Sequence, residues 1–431
     1  MERSLARYKK SKELLEKASQ VIPLASQTFS KSHIQFPEMA PHFIVRGKGS
    51  HVWDVDGNEY VDFVNSLLPI ILGYCDPDVD EAVTRQLRNG VCFSLASPLE
   101  YELAELLVEI FPCAESVRFG KNGSDATAGA VRVARAYTGK DRVAVCGYHG
   151  WQDWYVGSTA RNKGVPEAVR ALTHPFTYND LASLAKLFDR YPREFAAVIM
   201  EPMNVEDPAP GFLEGVKELT HKNGAVLIFD EIITGFRFAL GGAQELFGVT
   251  PDLAAVGKSM ANGFPISAVV GSKELMREME DVFFSFTFGG EAVSLAASIA
   301  TIKKIREKSV IEALWKTGTT IMDRVKNLIS AHRLEGVFSL KGKPPWSLFM
   351  INDQGQATSW EIKSLFVQEM LLRGILISAS HNVSYAHAGS DLEKLFSSYD
   401  EVFGSIRRAL DNRAVTKKLI GKPIEPLFKI R

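Results

Sequence analysis

Residues 225–238 read AVLIFDEIITGFRF. The five apolar residues Ala225 to Phe229 suit a strand buried on both faces, as in the middle of a parallel sheet. Asp230 follows the run directly, so it belongs at the strand's carboxyl end, the edge where open α/β sheets bind ligands. A plain loop acid or helix cap is the competing reading of Asp230. RVAVC (142–146) and AAVIM (196–200) are two more short runs of the same kind. Helically spaced stretches accompany them, among them DEAVTRQLRNG (80–90) and LEYELAELLVEIF (99–111). This alternation predicts an α/β domain with a mostly parallel sheet flanked by helices.

Outward from that core, residues 41–63 read as a small antiparallel element. HFIVRGKG and SHVWDVDGNEYVDF are β-rich, with Asp56-Gly57 as a hairpin signal. A long helix, AVSLAASIATIKKIREK (292–308), opens the last stretch, where mixed strands and helices lead to the basic tail KKLIGKPIEPLFKIR (417–431). The expected organisation is a large domain over 64–305 and a smaller α+β domain built from 1–63 and 306–431. A chain of 431 residues with 46% hydrophobic content can bury a core of that size.

Composition narrows the ligands. A net charge of -1 leaves no electrostatic footprint for nucleic acid or an anionic membrane, which points to small molecules. The N-terminal MERSLARYKKSKELLEKA is charged and helical in period, unlike a signal peptide, and no stretch approaches the roughly 20 apolar residues of a membrane span. A soluble cytoplasmic protein is expected, with no metal site. Cys75, Cys92, Cys113 and Cys146 form no CxxC pair and are expected as buried, reduced thiols.

Four further segments carry chemistry. In DLAAVGKSMANGFPISAVVG (252–271), Lys258 sits between apolar runs and glycines rather than on a charged helix face. Burial would lower its pKa, and a neutral amine is what attacks a carbonyl; the plain alternative is a packed stem with a solvated head. In RFGKNGSDATAGAVRVARAYTG (118–139), Gly123 and Ser124 precede a helical run, offering amides and a hydroxyl to a phosphate or simply a cap. CGYHGWQDWY (146–155) puts Tyr148, His149 and Trp151 at a strand end, where they stack on a planar ligand or fill core. FFSFTFGGEAVSLAAS (283–298) offers Thr287 ahead of a helix as a second phosphate donor or a cap. Together they match the needs of pyridoxal phosphate (PLP): a phosphate cradle, a stacking aromatic, a carboxylate at the pyridine nitrogen and a lysine amine.

RGKGSHVWDVDGNEYVDF, NGSDATAGAVRVARAYTG, GYHGW, TYND, MEP, FDEIITGFR, GGAQELFGVTPDL and GKSMANGFP span nearly the whole chain. With them the sequence resembles the class-III aminotransferases of PLP fold type I, and most of all the glutamate-1-semialdehyde 2,1-aminomutases and their relatives. The resemblance implies that Lys258 carries PLP as a Schiff base and Asp230 pairs with the pyridine nitrogen. It implies that Ile232 packs on one ring face and Tyr148 on the other, with His149 beside it. Gly123 and Ser124 would hold the phosphate, Glu201 would orient the site, and Thr287 would reach the phosphate from the other subunit of a homodimer.

The departures surround the substrate. The aminomutases carry a serine and an arginine in the segment that here reads SQTFSKSH (26–33), offering Thr28 and Lys31. SLLPIILGY (66–74) lacks an expected tryptophan, and SASHNVSYAH (378–387) places His381 and Asn382 where the aminomutases have an acid. The expected reaction is therefore transamination, from glutamate as donor to an aldehyde or ketone, with a sugar-like acceptor suited to Thr28, Lys31 and His381. Intramolecular aminomutation to 5-aminolevulinate is the alternative, and the same electron sink also serves decarboxylation and racemisation. A catalytically idle PLP fold would lack the lysine or the acid, and both are present.

Overall fold

The structure is a computed structural model that describes residues 7–425. Contacts divide the chain into two units. The first comprises residues 7–67, 72–76 and 312–425, the second 68–71 and 77–311.

In the first unit, helix α1 (Lys9–Val21) precedes strands β1 (Ile44–Lys48), β2 (His51–Asp54) and β3 (Glu59–Asp62), which pair antiparallel in sequence. The β2–β3 turn closes because the Asp54 carboxylate accepts from Asn58 N at 2.8 Å, while Gly57 takes φ +89°.

The second unit begins with α2 (Pro77–Asn89) and α3 (Pro98–Ile110), the latter started by a Ser97–Glu100 capping box. Then come β4 (Ser116–Gly120), α4 (Gly123–Thr138), β5 (Arg142–Cys146), β6 (Thr173–Pro175), α5 (Leu181–Arg190), β7 (Phe195–Met200) and α6 (Phe212–Lys222). β8 (Val226–Glu231), α7 (Gly242–Phe247), β9 (Leu253–Val256), β10 (Ser267–Gly271) and α8 (Ala292–Glu307) complete it. Its sheet has the order β4-β10-β9-β8-β7-β5-β6, and β10 alone runs antiparallel to its neighbours. The unit is α/β with a mostly parallel sheet.

β7 and β8 are buried at every residue, and alternate side chains serve opposite faces. Val226 and Ile228 join Ala126, Ala130 and Val133 of α4 in one core, while Leu227 and Phe229 join Phe195, Phe212 and Val216 in the other. The continuous apolar runs follow from this double burial.

The chain then returns to the first unit through α9 (Val310–Ala331), β11 (Phe338–Lys343), β12 (Trp346–Ile351), α10 (Ser359–Leu372), β13 (Ile375–Leu376), β14 (Ser380–Asn382) and α11 (Gly389–Asp411). β13 adds parallel to β3, so both ends of the chain build one sheet, and β11-β12-β14 form another.

Cys113 and Cys146 are buried, whereas Cys75 and Cys92 are exposed; all four are free. The expectation of burial fails for Cys75 and Cys92 because each lies in a loop outside the two apolar cores. Among the described residues no helix is long and apolar enough to cross a membrane. Residues 426–431 of the basic tail lie outside the described residues.

Candidate active site

β4, β5, β7, β8 and β9 all point the same way, because β10 is antiparallel to both β4 and β9. Their carboxyl ends form one edge, and the candidate residues leave from it: Gly123 and Ser124 after β4, Tyr148 and His149 after β5, Glu201 after β7, Asp230 on β8 and Lys258 after β9. Alternation along β7 and β8 turns Glu201 and Asp230 to the face that carries α4, since Ile199 and Ile228 are in that core.

Asp230 is 4% exposed. Its Oδ2 accepts from His149 Nδ1 at 2.8 Å and its Oδ1 from Ile232 N at 3.1 Å. A carboxylate only accepts here, so His149 Nδ1 carries the proton of this bond. Trp154 stacks beside His149 and Tyr155 meets its edge. Two hydrogen bonds and this packing leave the carboxylate little rotational freedom.

Glu201 Oε2 accepts from Tyr148 N at 3.0 Å and from Asn204 Nδ2 at 2.7 Å. Burial, and then the nearby Asp230, push its carboxyl above the usual range. Gly147, at φ +107°, admits this carboxylate: a Cβ there would lie 2.4 Å from Glu201 Oε2.

Lys258 begins a single 3-10 turn and has φ +41°, a left-handed conformation unusual for a residue with a Cβ. Solvent reaches part of its side chain, yet the amine is packed deeply enough that burial lowers its pKa to about 8. Glu201 and Asp230 oppose that shift, and Arg237 adds to it.

At the start of α4 the Asp125 carboxylate accepts from Lys121 N at 3.0 Å and Asn122 N at 2.7 Å, leaving the next amides, those of Gly123 and Ser124, at the positive end of the helix. Ser124 Oγ accepts from Trp151 N at 3.2 Å. A Cβ on Gly123 would lie 3.1 Å from Ile232, and one on Gly257 would lie 3.1 Å from it as well. Ile232 therefore sits between the turn before α4 and the turn that carries Lys258.

The chain matches the description of class-III aminotransferases over residues 35–387. It belongs to that family. It is 35% identical to 3-aminobutyryl-CoA aminotransferase of Cloacimonas acidaminovorans, over 93% of this chain and 98% of that one. It is 36% identical to glutamate-1-semialdehyde 2,1-aminomutase of Syntrophomonas wolfei, over 84% and 90%. Its structure is similar to that of the FumI protein of Sphingopyxis sp. MTA144, solved in its PLP internal aldimine form. That match has a TM-score of 0.86 and 28% identity, and covers 94% of this chain and 98% of that one.

This class-III aminotransferase is an enzyme of the PLP-dependent fold type I and uses pyridoxal phosphate. Its residues fit that group: a desolvated amine, a fixed buried carboxylate and a helix start with free amides meet around Ile232.

The remaining sequence candidates have the following surroundings. Tyr148 is 58% exposed, and Thr287 is exposed in the segment before α8, with no hydrogen bond to Gly123 or Ser124 among the described residues. Thr28, Lys31 and His381 belong to the first unit. Thr28 is exposed, and Lys31 Nζ donates to Ser66 Oγ at 3.0 Å. The His381 ring is fully buried, engages Ser347 Oγ at 2.9 Å and Tyr399 OH at 2.7 Å, and is held neutral by burial, which lowers its pKa to about 3. Both its nitrogens are thus committed inside the unit.

Two residues of the quoted FDEIITGFR received no role from sequence. The Glu231 carboxylate is fully buried and accepts from Ala243 N at 2.8 Å, Gln244 N at 2.9 Å and the Thr234 hydroxyl. Arg237 is fully buried too. A charged residue inside an apolar run was the available signal in both cases.

Proposed function

We infer that this enzyme is a transaminase that takes an amino group from an amino-acid donor, glutamate being the expected one, and passes it to the carbonyl of an aldehyde or ketone. The observation that carries this reading is the Lys258 amine, lowered to a pKa of about 8, at the same edge as Asp230 locked by His149.

Bound pyridoxal phosphate supplies an electron sink for the negative charge that develops at the substrate carbon. Asp230 holds a proton on the ring nitrogen, and His149 keeps Asp230 oriented for it. Lys258 would hold the cofactor through its amine and, as a free amine, would carry the proton between the substrate carbon and the cofactor within each half-reaction. The amides of Gly123 and Ser124 would hold the phosphate, Ile232 and Tyr148 would pack on the ring faces, and Glu201 fixes the Tyr148 backbone.

Thr28 and Lys31 are the side chains we assign to acceptor recognition, where an ammonium and a hydroxyl favour an anionic or polyhydroxylated carbonyl compound. The relatives carry both transaminase and aminomutase names, and the missing tryptophan in SLLPIILGY favours the transaminase. The working form is a homodimer in which Thr287 reaches the other subunit's phosphate. Phe283 and Phe288, 82% and 59% exposed beside Thr287, are the apolar surface that a second copy would cover.

A donor and acceptor screen tests the assignment. Turnover requires both partners in a transaminase; formation of 5-aminolevulinate from glutamate-1-semialdehyde with no added donor would instead establish the aminomutase.

A further inference from the structure

Arg237 is the largest fully buried side chain among the described residues, and it stands in the turn after β8. A guanidinium is expensive to bury, so its position calls for a physical reason. Its Nη2 donates to the Leu68 carbonyl at 2.7 Å and to Ser259 Oγ at 3.2 Å, and Ser259 Oγ donates to the same carbonyl at 3.3 Å. The backbone on either side of this clamp is left-handed. Leu68, at φ +86°, ends a run in which Asn65, Ser66 and Leu67 also have positive φ, and Lys258, at φ +41°, directly precedes Ser259. Non-glycine residues stay in that region only when their surroundings force it. Arg237 itself follows Phe236, at φ +62°.

We propose that Arg237 is a positioning residue for Lys258: it pins the lysine's turn to the Leu68 carbonyl through Ser259 and presents a positive charge to the amine. The charged groups facing the amine are Glu201 from the end of β7, Asp230 from the end of β8 and Arg237 from the turn after β8. The two carboxylates favour the ammonium form, while burial and Arg237 disfavour it, and the balance lies with the neutral amine at mildly alkaline pH. Burial also lowers the guanidinium's own pKa, to about 9, so the charge on Arg237 persists through neutral pH. The arrangement performs two tasks at once: the clamp sets where the amine points, and the charge sets whether it carries a proton.

The inference rests on Lys258 being the reactive amine, and that reading has its own control. A Lys258→Ala enzyme that kept the cofactor's visible absorbance would sink the lysine assignment whatever the Arg237 variants do. The test of Arg237 uses the full chain freed of cofactor, labelled by competitive acetylation with acetic anhydride across pH 6 to 11 and followed on the Lys258 peptide by mass spectrometry. For Arg237→Met the labelling midpoint should move up by about one pH unit, and for Arg237→Lys, which keeps the charge, it should stay within about 0.3 of the native value. An unmoved midpoint in folded Arg237→Met overturns the electrostatic half. Ser259→Ala keeps the charge and loosens the clamp, and it remains informative should Arg237→Met not fold. It should lower kcat by about tenfold with KM within about twofold, at an unchanged midpoint. An unaltered kcat overturns the positioning half.

Discussion

An amine with a pKa near 8 is largely protonated at pH 6.5 and largely neutral at pH 9, so the rate step that needs free Lys258 gains with pH across that interval. We expect an acid limb in the kcat profile with a midpoint near 8; a flat profile between pH 6 and 9 would remove Lys258 from that step. The same shift has a stability consequence. The folded pKa lies below the unfolded value of about 10.4, so the unfolded chain binds more protons between the two. The cofactor-free protein should therefore gain stability as pH rises from about 8 toward 10.4 relative to Lys258→Met, with no such differential slope below 8, as read by denaturant titration at each pH. Asp230 is coupled differently. Replacing it with Ala removes the partner of a buried ring, which costs about 1–3 kcal/mol, whereas Asp230→Asn keeps the shape and loses the charge. Both should cut kcat by at least about 10²-fold, but only Asp230→Ala should lower the melting temperature appreciably. The strand-end positions of Asp230 and Lys258 were legible in sequence because each follows an apolar run. Arg237 and Glu231 were not, because a buried charge looks like any other until its partners, Leu68 and Ser259 or the α7 amides, are brought to it by the fold.

Among the elements, β5, β7 and β8 could be read directly, since burial on both faces demands unbroken apolar runs. β10 could not be oriented: SAVVG looks the same in either direction, and only its pairing with Ala254 and Val117 shows it antiparallel. β13 is two residues long and carries no pattern of its own. The β8-to-α7 connection depends on Gly242, at φ +77°, where a Cβ would lie 2.5 Å from Glu231 Oε2. Gly242→Ala should destabilise the protein by about 1–3 kcal/mol through that clash and the left-handed backbone, with kcat per folded molecule little changed. Gly147→Ala makes the parallel case at the site itself: its Cβ would displace the Glu201 carboxylate, so activity should fall more than stability does. Thermal melts and initial rates on the same preparations separate the two. Equal losses of both quantities in the Gly147 variant would reduce Glu201 to a structural acid.

At the level of the molecule, β-rich sequence at 41–63 and mixed elements after 300 flank a continuous α/β stretch, and contacts divide the described chain into one unit of 7–67, 72–76 and 312–425 and another of 68–71 and 77–311. The β13–β3 pairing was invisible, being a contact between segments about 300 residues apart. The substrate is least legible of all. Thr28, Lys31 and His381 stood out by composition, yet the structure commits His381 at both nitrogens to Ser347 and Tyr399. On the proposed homodimer, with Thr287 reaching the other subunit's phosphate, Phe288→Asp should weaken self-association in analytical ultracentrifugation and, with it, cofactor retention. The reaction itself is tested most directly by mixing the loaded enzyme with excess glutamate and no acceptor. A transaminase dependent on Lys258 loses its visible absorbance and releases one 2-oxoglutarate per site, then recovers the absorbance when a carbonyl acceptor is added. An absorbance that no amino donor changes, together with 5-aminolevulinate formed from glutamate-1-semialdehyde alone, would contradict it.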